Sequence, residues 1–114
     1  MRTAKPLLHY LDGGVPRQLA AHFGDYLEGL PKYQKFDIIR LVADVGSNDT
    51  DPFYDHFEGN YDLIASSENQ GIILKEEEYG IPLLSMLNSL GEDELLALCA
   101  FLVDDLRHSQ GGQS

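Results

Sequence analysis

The apolar run from Leu95 to Val103 constrains the fold of this chain more than any other stretch. A helix over this run is apolar on nearly every side, so it is stable only at the centre of a core. The preceding Ser89-Leu90-Gly91-Glu92 matches a capping box, and Asp93 and Glu94 suit the first turn of a helix. We therefore predict a helical domain around a central C-terminal helix that ends at about residues 107–108.

Proline and glycine divide the rest of the chain into shorter helices. A second predicted helix opens near Pro16, carries an apolar stripe that includes Phe23 and Leu27, and ends at Gly29. A third opens at Pro31, turns Phe36, Ile39, Val42 and Ala43 towards the core, and ends at Gly46 before a loop over residues 47–51. The other predicted helices cover residues 3–11, a stretch from Asp51, and residues 81–90, with a loop at 66–71.

Residues 71–80 leave two alternatives open. Ile72-Ile73-Leu74 is short and rich in β-branched residues, so it could form a strand that pairs near residues 79–83, with Glu76-Glu77-Glu78 at the turn. The predicted fold class is therefore mainly α, a compact bundle of five or six short helices. A small β-hairpin near residues 71–80 gives an α+β fold as the alternative. Residues 1–108 form a single domain in this prediction, and residues 109–114 form a flexible tail.

Charge is distributed unevenly along the chain. Residues 1–40 contain six bases and four acids, whereas residues 41–114 contain fifteen acids and two bases, a net charge of −13. An acidic field of this kind repels nucleic acid and anionic membranes and attracts basic protein surfaces. The bases of the first third are expected to pair with the acidic part, within the fold or across a homodimer, rather than to bind nucleic acid directly.

The predicted fourth helix brings several acids onto one side. Asp51, Asp55, Glu58 and Asp62 follow each other at i, i+4, i+7 and i+11, which places them within an arc of about 60° on a helix. Such a ridge suits a basic groove, although a solvated helix face explains the same residues. The candidate partner-binding residues are Asp49, Asp51, Tyr54, Asp55, Glu58 and Asp62, with a secondary patch at Glu76, Glu77 and Glu78.

Sequence motifs of catalysis and metal binding are missing from the chain. No serine lies in a Gly-x-Ser-x-Gly elbow, the histidines are scattered, and the oxygen-rich residues 44–51 do not fit a calcium loop. Cys99 lies among apolar neighbours, which favours an inert thiol in the core. We expect no enzyme activity, no metal and no cofactor. Without a signal peptide or an apolar run long enough for a membrane span, the expected location is the cytoplasm.

The leading hypothesis is a non-enzymatic acidic protein that neutralises a basic partner by occupying its nucleic-acid-binding surface. An immunity protein for a nuclease toxin and a phage-type inhibitor of a host nuclease or defence complex fit equally. The alternative is a helical adaptor or regulatory protein that dimerises and whose acidity serves only solubility.

Overall fold

The computed structural model describes residues 5–50 and 62–113, with side chains over residues 5–47 and 62–107. These residues form helices and no strand, which confirms a mainly α fold. The helices are α1 (Leu7–Tyr10), α2 (Gly14–Phe23), α3 (Lys32–Thr50), α4 (Leu63–Gln70), α5 (Glu76–Tyr79), α6 (Leu83–Asn88) and α7 (Glu92–Gln113).

Helix α7 packs against both α3 and α1, as its apolar sequence predicts. Its Leu98, Phe101 and Leu102 side chains are almost completely buried. Leu96 and Val103 lie on its outer face and stay 54% and 44% exposed. The capping-box match makes Ser89 the N-cap, whereas in the structure Gly91 holds that position, two residues later. The Gly91 N–H donates to Glu94 Oε1 at 2.9 Å, which fixes this start. It also continues to Gln113, beyond its predicted end.

Helix α3 differs from its prediction in length and in the face that it buries. It passes through Gly46, so residues 47–50 are helical and not a loop. A glycine inside a helix costs about 1 kcal/mol, which the packing of α3 on α4 and α7 outweighs. Val42 is buried and Ile39 is partly buried, as predicted, whereas Phe36 and Ala43 are exposed. The buried face is completed by Ile38 and Leu41.

Three other predicted boundaries are wrong for local reasons. Helix α2 ends at Phe23 because Gly24, with φ of 105°, caps it, and Leu27 is buried in a turn with φ of 53°. The predicted loop at residues 66–71 is mostly α4. The predicted hairpin at 71–80 is absent, because residues 76–79 form α5 and the backbone before it bonds to a side chain of α3.

A buried ion pair joins the basic and acidic parts of the chain. Lys35 Nζ of α3 donates to Asp105 Oδ2 of α7 at 2.8 Å, and both side chains are less than a tenth exposed. A buried charge is costly unless it is paired, so each residue needs the other. The expected pairing of N-terminal bases with the acidic part within the fold is confirmed for Lys35.

Candidate protein-binding surface

The predicted acidic ridge lies mostly outside the described residues. Asp51, Tyr54, Asp55 and Glu58 fall in the gap between residues 50 and 62, and Asp49 lies in α3 where only the backbone is described. The partner-binding role of these five residues therefore stays a prediction.

Asp62 is described, and it caps α4. Its backbone is extended, with φ of −107° and ψ of −171°, so a helix from Asp51 does not continue through this residue. Asp62 Oδ1 accepts from the Ala65 N–H at 3.0 Å, and Oδ2 accepts from Asn88 Nδ2 at 3.2 Å. These bonds, that of Ala65 foremost, lower the pKa of Asp62. The predicted placement of Asp62 on the acidic ridge of a helix from Asp51 is wrong, because Asp62 is the N-cap residue of α4.

The hydrogen-bonded side chains of Asp62 and Asn88 line a cleft of about 230 Å³ between α3, α4 and α7. Apolar side chains form its walls, among them Val42, Leu63 and Leu95, and Asp62 and Asn88 supply polar groups. Asn88 Oδ1 also accepts from the Leu63 N–H at 3.0 Å. Both polar side chains thus hold the N-terminus of α4, which gives them a structural role.

The secondary patch, Glu76 to Glu78, forms the first turn of α5. Glu76 is partly buried, and its Oε2 accepts from the Leu84 N–H at 2.5 Å, which ties α5 to α6. Glu77 and Glu78 are exposed. Within the predicted patch, these two carboxylates are therefore the ones that face solvent and suit contact with a cationic partner.

Gln34, a completely buried residue of α3, holds the segment that leads into α5. Its Nε2 donates to the Ile73 carbonyl at 3.0 Å, and its Oε1 accepts from the Lys75 N–H at 3.0 Å. Oε1 also accepts from the Tyr79 hydroxyl at 2.8 Å. One side-chain amide thus supplies the hydrogen bonds that a partner strand would otherwise give to this segment.

Three large apolar side chains are exposed on α3 and on the segment before α5. Ile73 is 75% exposed between buried Ile72 and Leu74, and Tyr33 and Phe36 of α3 are 50% and 52% exposed. Tyr33 and Phe36 are neighbours at i and i+3 on the helix surface. Tyr33, and not Phe36, is connected with the segment before α5, because Lys75 lies against its ring. We define the α3–α5 face by Tyr33, Ile73, Glu77 and Glu78.

Lys75 connects the two sides of the α3–α5 face. Its Nζ lies 5.7 Å from the centre of the Tyr33 ring. The pKa of Lys75 is raised, first by its hydrogen bond to Tyr33 and then by the charges of Tyr33 and Glu78. The apolar part of this face was missed in the sequence, although the burial of Ile72 and Leu74 follows the alternation of an extended segment.

Other features give no sign of chemistry in the described part of the chain. No group of three or more His, Cys, Asp or Glu side chains there is arranged to hold a metal ion. Burial raises the pKa of the Cys99 thiol to about 11. No described helix has both the length and the apolar character needed to cross a membrane.

Comparison with known proteins identifies no relative of this chain. No protein-family model matches the chain, and no curated protein or solved structure is significantly similar to it.

Proposed function

We propose that this chain is a non-enzymatic acidic binding protein that inhibits a basic partner by occupying its nucleic-acid-binding surface. The observation that carries the proposal is the net charge of −13 over residues 41–114. Exposed Glu77 and Glu78 present part of that charge to solvent. An immunity protein for a nuclease toxin and a phage-type inhibitor of a host nuclease or defence complex remain equally suitable uses.

The environment of the N-terminal bases supports a protein partner over nucleic acid. Lys35 is buried against Asp105, and Arg17 Nε bonds to Asp12 at 2.7 Å. Asp12 in turn has its pKa lowered to about 2, chiefly by the hydrogen bond from Arg17. Affinity for nucleic acid depends on bases that neutralise phosphates, and these two bases already have carboxylate partners.

Opposite charges on the inhibitor and its partner raise the association rate and make binding selective for basic proteins. Electrostatic steering raises association rates to about 10⁸–10⁹ M⁻¹s⁻¹ at low salt, and it disfavours partners of the same charge. A groove that binds phosphates offers a dense positive field, so an acidic protein competes for it directly. The proposal therefore predicts binding that weakens strongly as salt screens the two surfaces.

The test is a pull-down from the native host at low and high salt, with the captured proteins identified by mass spectrometry. We expect a basic nucleic-acid-binding protein at low salt and much less of it at high salt. Capture that is insensitive to salt, or a homodimer without a basic partner, contradicts the proposal. Reversing Asp55 and Glu58 to lysine should lower the association rate with the captured protein and leave the melting temperature nearly unchanged.

The alternative function, a dimerising helical adaptor, is favoured by a different observation. Leu96 and Val103 form an exposed apolar pair on the outer face of α7. Their i, i+7 spacing suits contact with a second helix. Sedimentation of the purified chain separates the two functions, since the adaptor sediments as a dimer that Leu96→Ser dissociates.

A further inference from the structure

The α3–α5 face has the composition of a protein interface. Exposed apolar residues that stand singly are normal on a protein surface, but Ile73 shares a groove with Lys75, Glu77 and Glu78, and Lys75 lies against the Tyr33 ring. Ile73, at 75%, is the most exposed large apolar residue in the described part of the chain. Binding hot spots typically combine such apolar and aromatic anchors with a polar or charged rim.

The position of Ile73 is fixed by the fold. Its carbonyl bonds to buried Gln34, and its neighbours Ile72 and Leu74 are 7% and 6% exposed. The backbone is thus held on both sides of the residue while its side chain points into solvent. A surface that is rigid before binding loses less conformational entropy when a partner docks.

Charge selects the occupant of this face. Ile73, Glu77 and Glu78 line a common groove of about 410 Å³, and a second groove that includes Ile73 also contains Glu68. Lys75, the base in the first groove, has Tyr33 and Glu78 as neighbours. A second copy of this chain would bring the same glutamates against these in a two-fold contact, which like charge disfavours.

We infer that the α3–α5 face is the docking surface for a cationic protein segment whose lysine or arginine residues flank an apolar side chain. In this arrangement the apolar side chain of the partner packs on Ile73, on the side of the segment where Tyr33 lies against Lys75. The flanking bases pair with Glu77 and Glu78. The inference rests on the proposed function and names the surface through which it operates.

The test is an NMR titration of the isotopically labelled full chain with two short peptides of equal charge. In the first peptide lysine pairs alternate with leucine, and in the second the leucines are replaced by serine. We expect the leucine peptide to shift the amide signals of Tyr33, Ile73, Glu77 and Glu78. It should bind about tenfold more tightly than the serine peptide, because it buries apolar area as well as pairing charges.

Variants assign this difference to single residues. Ile73→Ser should weaken binding of the leucine peptide about tenfold and leave the serine peptide unaffected. Leu96→Ser, which changes an exposed apolar residue on α7, is the matched control and should change neither affinity. The double variant Glu77→Gln, Glu78→Gln should weaken both peptides, and it tests the face even if Ile73→Ser misfolds.

The outcomes distinguish this inference from the proposed function. Binding of both peptides at another acidic surface, with Ile73→Ser and the glutamine variant unchanged, overturns the docking face and leaves the proposed function standing. Self-association that Ile73→Ser abolishes also overturns it, since the occupant is then a second copy. If neither peptide binds at low salt, both the proposed function and this inference are contradicted.

Discussion

Replacing Gln34 with leucine tests how the fold supports the α3–α5 face. Leucine is close to glutamine in size, so the buried volume is kept while the amide is lost. The Ile73 carbonyl, the Lys75 N–H and the Tyr79 hydroxyl each lose a partner at 2.8–3.0 Å. The Asp37 carboxylate also loses a bond of 3.0 Å, but its side chain is 20% exposed and water can replace that bond. The variant therefore removes hydrogen bonds from the segment before α5 without opening a cavity.

The expected loss follows from the environment of these groups. A polar group left without its partner costs about 1–3 kcal/mol, and the lower value applies here because the side chains of Ile73 and Lys75 border solvent. Three such groups give a loss of about 2–3 kcal/mol in the free energy of unfolding. For a chain of 114 residues this lowers the melting temperature by roughly 10 °C.

Two measurements check this prediction. Thermal unfolding gives the stability, and amide hydrogen exchange reports directly on the Lys75 N–H, which should exchange at least about tenfold faster in the variant. Gln18→Leu, a change of the same chemistry at an exposed site on α2, is the control and should alter neither quantity. An unchanged melting temperature together with unchanged exchange at Lys75 would refute the role assigned to Gln34.

Three further predictions concern other groups that are buried or partly buried. Lys35→Met should lower the free energy of unfolding in urea by about 3–5 kcal/mol, because it leaves the Asp105 carboxylate buried alone, and adding Asp105→Leu should recover most of the loss. Asp62→Ala should cost about 1 kcal/mol at neutral pH, since Ala65 loses its cap. The pKa of Asp62 is lower in the folded than in the unfolded protein. The stabilisation by the cap is therefore complete above the unfolded pKa of about 4, and it disappears as pH falls through the folded pKa. Thermal unfolding at a series of acidic pH values measures this loss. Because burial raises the pKa of Cys99 to about 11, its thiol should react with a disulfide reagent much more slowly than free cysteine at mildly alkaline pH.

Each of these predictions has a contrary result. Additive losses from Lys35→Met and Asp105→Leu would show that the two residues do not act as a pair. A destabilisation by Asp62→Ala that persists unchanged into strong acid would show that the ionised cap is not its cause. Rapid labelling of Cys99 in the folded protein would contradict the raised pKa of its partly buried thiol.

The sequence predicts the existence of α7 and its packing against the core, but not its outer face, where Leu96 and Val103 are exposed. An apolar run such as Leu95–Val103 has no stable position except against other apolar surfaces, and α7 indeed packs on α3 and α1. The orientation of α3 could not be predicted in the same way. Gln34 and Lys35 lie on its buried side, where polar residues are uncommon, so the pattern pointed instead to Phe36 as a core residue.

Those two polar residues are buried because distant elements satisfy them. Lys35 meets Asp105 of α7, and Gln34 meets the backbone at Ile73 and Lys75. No local pattern contains such partners, since they are far away along the chain. The same contacts explain the missing hairpin, because Gln34 already bonds the segment that resembled a strand.

The sequence predicts the charged residues of the candidate site, Glu77 and Glu78, but not its exposed apolar residue, Ile73. Glu77 and Glu78 stand out as acids wherever they lie, and they are exposed. Ile73 resembles a core residue in the sequence, and only the anchoring of residues 72–75 leaves it at the surface. Exposure of an apolar residue is a property of the whole fold, so local patterns do not report it.

A displacement assay tests most directly the claim that this protein occupies a nucleic-acid-binding surface. The basic protein captured at low salt is purified and loaded with fluorescently labelled duplex DNA, and the present protein is added in increasing amounts. We predict that the duplex is released in proportion to the complex formed, and that Glu77→Gln, Glu78→Gln releases it less effectively. Formation of a stable complex while the duplex stays bound would contradict the account.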